Sequence, residues 1–423
     1  MSHTSHCILR GRHFSVRRIA FAALFTVLLA PPAMGGELSI IADTSDPGQP
    51  EALRDVIRRF EAANPDVTVD LTINGREDHK TAIRNFLKAD PPDLTTWYAG
   101  ARMQVFSDAG LFADLSELWE AENLSDAMSS SDGLVRGKDG KVYGVPYSYY
   151  QWGIYYRRDV MQKHGVAEPE TWDDLVGACT KLRAAGVTPI AIGTKFLWTA
   201  AGWFDYLNLR INGRDYHLRL AAGEIPYTDS RLDAVFAHWR ELVDGDCFLK
   251  NHASYDWVEG AAPLIEGSAA MMLIGNFVMG NFAEAGVADK IEYAQFPVIK
   301  PGMPLYEDAP LDTWHIPSAA KNKRDAMRFL AFAASAEINA LIPAAAGTLP
   351  PNKYAPPPED RILQEGQKVL GAAAGLAQFY DRDTDPQMAK SGMEGFQEFM
   401  IKPQRLDRIR TRLENTRKRI YKK

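Results

Sequence analysis

The stretch YGVPYSYYQWGIYYRRD (143–159) carries seven aromatic residues in its first fourteen positions. Two surfaces need that many rings: a strand pair in an aromatic core, or a site that stacks flat molecules. A strand repeats every two residues. That period puts Tyr147 and Tyr149 on one face and Tyr150 and Trp152 on the other, with Tyr155 and Tyr156 further along. The segments on either side decide what these faces meet.

Upstream, apolar periodicity alternates. ELSIIAD (37–43) reads as a buried strand and PEALRDVIRRFEAAN (50–64) as a helix, with Leu53, Val56, Ile57 and Phe60 on one side. VTVDLTIN (67–74) alternates as a strand, DHKTAIRNFLKAD (78–90) is helical, and PPDLTTWYAG (91–100) contains a short strand before the helical ARMQVFSDAG (101–110). Strand–helix–strand order predicts a parallel sheet with crossover helices. In such sheets ligands bind beyond the carboxyl ends of the strands, here Asp43 to Asp46, Asn74 to Glu77 and Trp97 to Arg102.

Downstream, PETWDDLVGACTKLRAAG (169–186) opens with Thr171 and Asp174 at capping-box spacing and stops at Gly186. Further helices are expected over 230–246 and 321–335, a strand over 291–298, and an irregular connector in the Pro-rich segment 347–360. The basic C-terminal segment from Gln404 reads as a helix with a solvated charged face.

The N-terminus points to export. Arg10, Arg12, Arg17 and Arg18 precede an apolar run of twelve (19–30), too short to span a bilayer. Small residues follow, so 1–35 reads as a signal peptide cut near Gly35. RRIAF (17–21) fits the twin-arginine pattern poorly, and the general and the twin-arginine route both stay open. Cys7 precedes the apolar run, so a lipid anchor is not indicated, and a soluble periplasmic protein is expected. Residues 1–35 hold four of the 48 basic residues and none of the 54 acidic ones, which leaves 44 against 54, a balance of −10. That balance argues against nucleic acid and anionic membrane as partners. Cys179 and Cys247 remain, either as one disulfide or as two buried thiols.

Catalytic patterns are missing: there is no G-x-S-x-G, no H-E-x-x-H and no phosphate-cradling P-loop. The six His beyond residue 35 are dispersed, and no metal or cofactor is implied. Aromatic residues recur beside polar ones instead, in TTWYAGAR (95–102), KFLWTAAGWFDYL (195–207), IGNFVMGNF (274–282), LDTWHIP (311–317) and AQFYDRDTD (377–385). Neutral sugars demand this mixture. The C–H face of a pyranose packs on a ring, and its hydroxyls pair with carboxylate, amide and guanidinium groups.

Four segments together resemble the extracellular carbohydrate-binding proteins of ABC importers, the group that includes maltodextrin-binding protein. They are PPDLTTWYAGARMQVFSDAGLFADLSEL (91–118), GKVYGVPYSYYQWGIYYRRDVMQKHGVAEPETWDDL (140–175), EGSAAMMLIGNFVMGNF (266–282) and HIPSAAKNKRDAMRFLAFAASAE (315–337), and they occur in family order. Departures are YYRRD, where Tyr-Asn-Lys-Asp is common, and Phe277, where Trp is usual.

The resemblance implies an α/β, two-lobed fold with a hinge and an interlobe ligand cleft. The first lobe is expected over 36–149 and 291–334, the second over 150–290 and 335–423, with crossings near 150, 290 and 335. It implies a monomer that captures a sugar and delivers it to the membrane permease of an ABC transporter, without catalysis. Segment 143–159 then crosses the hinge, and either face of 147–152 fits the cleft, with Tyr155 and Tyr156 in the second lobe's core. The ligand-binding residues expected by position and chemistry are Asp46, Trp97, Arg102, Tyr149, Gln151, Trp198, Trp203, Asp205, Asn276, Phe277, Asp312, Trp314 and Asp381. Two other readings remain. One is a periplasmic glycoside hydrolase, whose two acids need not be neighbours in sequence. The other is a ferric-ion carrier using Tyr149 and Tyr150.

Overall fold

The computed structural model describes residues 36–44 and 48–422. The expected signal peptide (1–35) and the candidate site residue Asp46 lie outside the described residues.

Two β-sheets, each with its own apolar core, form two lobes. The first sheet has the order β2-β1-β3-β10-β4. Its strands are β1 (Gly36–Thr44), β2 (Val67–Gly75), β3 (Leu94–Tyr98), β4 (Val145–Tyr149) and β10 (Leu311–His315). β1 pairs in parallel with β2 and β3, joined by helices α1 (Gln49–Ala63) and α2 (Arg76–Ala89), as the periodicity predicts. β10 is antiparallel to both β3 and β4. It arrives from the other lobe rather than over a crossover helix, so the sheet is mixed and not wholly parallel. Leu53, Val56, Ile57 and Phe60 of α1 are buried, and Phe60 meets Phe329 and Phe332 edge-on, at 5.2 and 5.7 Å between ring centroids.

The second sheet has the order β6-β7-β5-β8, from β5 (Trp152–Arg157), β6 (Thr188–Ile190), β7 (Ala269–Gly275) and β8 (Ile291–Ala294). β5 runs antiparallel to β7 and β8. β8 was expected with the first lobe, but Ile154 to Arg157 pair with it, and Ile291, Tyr293 and Ala294 join the second core. Conversely, the short helices over 336–346 were expected with the second lobe. Ile338 and Ile342 instead bury in the first core, where each contributes about 2 kcal/mol.

The opening stretch is two strands, not one. β4 ends at Tyr149 in the first sheet and β5 begins at Trp152 in the second, so the chain crosses at Tyr150 and Gln151. The other crossings run between Ala294 and Leu311 and between Ala346 and Arg361. Within the crossing between Ala294 and Leu311 lies β9 (Tyr306–Asp308), paired in parallel with β11 (Gly375–Ala377). Thr171 and Asp174 form the expected capping box on the helix Trp172–Ala184. Cys179 of that helix and Cys247 are disulfide-bonded, with their Cα atoms 5.6 Å apart. The C-terminal helix Leu406–Tyr421 is amphipathic, with the expected charged face on one side and Ile409 and Leu413 buried on the other, and Glu414 pairs with Arg417. Among the described residues no single helix is long and apolar enough to cross a membrane.

Candidate ligand cavity between the lobes

A cavity of about 310 Å³ opens between the two sheets. Thr44, Gly75 and Tyr98, the last residues of β1, β2 and β3, all line it. That is the position the carboxyl-end rule for parallel sheets assigns to a ligand. Arg76, Glu77 and Lys80 follow from the first turns of α2.

Opposite them stands an aromatic wall. Trp152 opens β5, Trp198 opens the helix Trp198–Ala221, Trp257 opens the helix Trp257–Glu266, and Phe277 follows β7. Trp152 stacks on Phe379 at 4.6 Å and meets Trp198 edge-on at 6.0 Å. Phe277 meets Trp257 and Tyr150 edge-on at 5.1 and 5.3 Å. The long helix approaches this closely because residue 202 has no side chain: a Cβ there would sit 2.8 Å from the Trp152 ring.

A third wall is the strap Phe379–Arg382, which leaves β11. Tyr380 turns into the second lobe, its N–H donating to Asp205 at 2.8 Å, while Asp381 and Arg382 reach the first. Arg102 donates to the Asp381 carbonyl and carboxylate, both at 2.7 Å. Arg382 donates to Asp312 Oδ1 at 2.9 Å, and its guanidinium lies 4.3 Å over the Tyr98 ring. Asp312 also accepts from Arg76 at 3.3 Å and from the Tyr150 hydroxyl. Burial works to raise the Asp381 carboxyl, but Arg102, Lys80 and Arg382 outweigh it and hold it below the ordinary range. Asp43, beneath the site, is likewise held down by Arg76, His79 and Thr96 against its burial. Charges on the cavity wall balance: Arg76, Lys80 and Arg382 face Glu77, Asp256 and Asp381.

Of the residues expected at the site, Trp198, Phe277 and Asp381 line the cavity. Arg102 and Asp312 stand behind it, paired to the strap. The others pack elsewhere. Trp97 is buried against His79, Tyr98 and Phe106. Trp314 is buried against Tyr147 and Phe329. Trp203 sits between Phe248 and Phe296 in the second core. Asp205 caps the strap from below. Tyr149 pairs through its backbone with Leu349. Gln151 is buried at the crossing and donates to the Trp152 carbonyl at 3.1 Å. Asn276 is buried beside Phe277, its amide without a hydrogen-bond partner among the described residues.

On the opening stretch, Tyr150 and Trp152 face the cavity, while Tyr147 joins the first core and Tyr155 the second. The adjacent pair that suggested iron is therefore divided: Tyr150 lines the cavity and Tyr149 does not. Arg76, Glu77 and Tyr98 were missing from the expected set, although the strand-end rule had marked their segments. Trp152, Trp257, Phe379 and Arg382 carried no signal that separates a site ring or charge from a core one.

The chain belongs to the bacterial extracellular solute-binding protein family, whose model matches residues 45–340. It is 26% identical over 334 residues to an uncharacterised ABC-transporter extracellular-binding protein of Pyrococcus horikoshii, covering 77% of this chain and 74% of the relative. It is 23% identical over 291 residues to the multiple sugar-binding protein of Streptococcus mutans, covering 67% and 68%. Among solved structures, the bacterial solute receptor AcbH, described as having an exclusive preference for β-D-galactopyranose, superposes with a TM-score of 0.85. The two are 28% identical over 92% of this chain and all of the receptor. A chitin-oligosaccharide-binding protein shares the fold with a TM-score of 0.81 at 20% identity, over 90% of this chain and 99% of the other.

Proposed function

We propose that the protein captures an uncharged sugar outside the cytoplasm and delivers it to the permease of an ABC importer, breaking no bond. The observation that carries this reading is the cavity itself. One wall is aromatic and suited to C–H faces. The facing wall and the strap carry guanidinium, ammonium and carboxylate groups suited to hydroxyls, and over the whole lining, with Asp256 of the aromatic side included, these charges balance. A charged ligand would bring an uncompensated charge into that balanced lining, at a cost that grows with desolvation. Family membership and the sugar named for AcbH support the same class of ligand.

In this reading two lobes close on the ligand as rigid units, hinged at the three crossings. The first comprises 36–149 and 311–346, and the second comprises 152–294 and 361–422. Closure is favoured only because ligand touches both lobes at once. The protein works as a monomer in the periplasm after loss of residues 1–35.

A thermal-shift titration with neutral mono-, di- and oligosaccharides tests the proposal. A true ligand raises the melting temperature in proportion to the logarithm of its concentration. If no neutral sugar shifts the melt, the reading fails. If a bound oligosaccharide is cleaved on incubation, the glycoside-hydrolase alternative replaces it.

A further inference from the structure

Asp312 holds three parts of the cavity wall without lining it. It is 1% exposed. Its carboxylate accepts from Arg76 at the start of α2 at 3.3 Å, from Arg382 of the strap at 2.9 Å, and from the Tyr150 hydroxyl at the crossing between β4 and β5. All three donors line the cavity. A carboxylate buried this deeply has to be matched in charge, and this one meets two guanidiniums.

The remaining charges around the cavity are already engaged. Lys80 donates to Glu77 at 2.8 Å and Arg102 to Asp381 at 2.7 Å. Asp256, on the aromatic side, caps the helix Trp257–Glu266 by accepting from the Glu259 N–H at 2.9 Å. Arg76 has a second carboxylate, Asp43, at 3.6 Å. Arg76 and Arg382 thus stand against Asp43 and Asp312, and Asp312 contacts both. Loss of the Asp312 charge would leave one guanidinium charge open to the cavity. Arg382 would stay at the wall, because it also donates to the Leu311 carbonyl at 2.8 Å and lies over the Tyr98 ring.

A guanidinium binds a ligand carboxylate by the same paired hydrogen bonds that it makes to a side-chain one. With Asp312 in place, an incoming anion has to compete for those donors and meets Asp43, Asp312 and Asp381 nearby. A neutral hydroxyl meets no such repulsion, and it can accept from guanidinium N–H groups that Asp312 does not use, since each Arg has five.

We propose that Asp312 determines the charge of the ligand. By covering Arg76 and Arg382 from behind, it makes the site select neutral sugars over their acids. Without its charge, the same two guanidiniums would take a sugar carboxylate. This rests on the sugar-binding reading above and assigns its charge selectivity to a residue behind the cavity wall.

Calorimetric titration of the intact protein tests it. The neutral probes are D-glucose, D-galactose and maltose, and the acidic ones are D-glucuronate, D-galacturonate and maltobionate. A neutral sugar should bind more tightly than its own acid. Asp312→Asn keeps the side-chain shape and an acceptor for Arg382, and it should raise the acid-to-neutral affinity ratio about tenfold or more. Asp312→Glu keeps the charge and should stay near the parental ratio. A purely structural role would weaken both sugars alike and leave the ratio unchanged in Asp312→Asn, which would overturn the proposal. Equal binding of acid and neutral sugar by the parent, or a rise in Asp312→Glu as large as in Asp312→Asn, would overturn it too. If Asp312→Asn does not fold, Arg382→Gln runs the test with the sign reversed. It uncovers the Asp312 charge, so D-glucosamine and D-galactosamine, in their ammonium forms, should gain about tenfold relative to glucose and galactose; an unchanged ratio there overturns the proposal. If no neutral sugar binds the parent, the sugar-binding reading itself falls, a result distinct from a bound sugar whose ratio does not move.

Discussion

Arg102 holds Asp381 twice, its Nε on the main-chain carbonyl and its Nη2 on the carboxylate, each at 2.7 Å. The two residues lie 279 positions apart. Arg102 belongs to helix α3 (Ala101–Ser107) of the first lobe, and Asp381 to the strap that runs into the second lobe's helices. Both are largely buried, with side-chain exposures of 14% and 8%. The pair therefore ties the third wall of the cavity to the first.

Removing one partner of a buried pair leaves the other charge desolvated, at a cost of about 3–5 kcal/mol. Arg102→Ala should destabilise the protein by an amount in that range. Asp381→Asn in the same chain should recover part of it, because the stranded carboxylate is gone. Urea unfolding of the two single variants and the double variant measures the coupling. A coupling energy below about 0.5 kcal/mol would show that the pair does not act as a unit.

Trp198 and Trp203 stand on one helix but in different surroundings. Trp203 is fully buried between Phe248 and Phe296, and its truncation to Ala should cost about 3–5 kcal/mol. Trp198 lines the cavity. Trp198→Ala should melt close to the parent while weakening sugar binding about tenfold or more. Paired melting and titration curves separate the two effects. The assignment of Trp198 to the site would be wrong if its truncation unfolded the protein or left affinity untouched.

The Cys179–Cys247 bond closes a loop spanning 68 residues. In the chain-entropy account, a cross-link of that length stabilises by about 4 kcal/mol. Reduction, or the double substitution to Ser, should lower the melting temperature by several degrees. A melt that is unchanged under reducing conditions would show that the bond is absent or carries no stability.

Asp383 gives the pH dependence a definite sign. Burial pushes its carboxyl up to about 6 from an ordinary 3.8, despite the Gln378 N–H and the nearby Arg214 and Arg382. The native state therefore holds this proton more tightly than the unfolded chain does. Its contribution to stability is present below about pH 4 and is lost as pH rises through about 6. Asp383→Asn keeps an acceptor for Gln378 and removes the charge. It should stabilise the protein by on the order of 2 kcal/mol at pH 7.5 and by nothing at pH 4. Denaturant melts at the two values check this. A gain equal at both would rule out the charge as its origin.

Local chemistry made much of the molecule legible in the sequence. Apolar spacing located β1, α1, β2, α2 and β3, and the Thr171–Asp174 spacing located a capped helix, because those patterns act within one turn or one strand. Strand order then marked the segments ending at Thr44, Gly75 and Tyr98 as ligand-facing. The resemblance in four ordered segments pointed to two lobes and a sugar.

Ring identity could not be resolved in the same way. Trp97, Trp203 and Trp314 satisfy the aromatic pattern as well as Trp152, Trp198 and Trp257 do, since burial against a core and burial against a ligand select the same side chains. Only the tertiary structure separated them. The break between β4 and β5 turned Tyr150 and Trp152 into the cavity. The antiparallel return of β10 placed Trp314 in the first core. The strap after β11 brought Phe379, Asp381 and Arg382 to strands hundreds of residues earlier. Periodicity sets which side of a strand or helix is apolar, whereas what that side meets depends on where the chain crosses between lobes, and those crossings are fixed by contacts far apart in sequence.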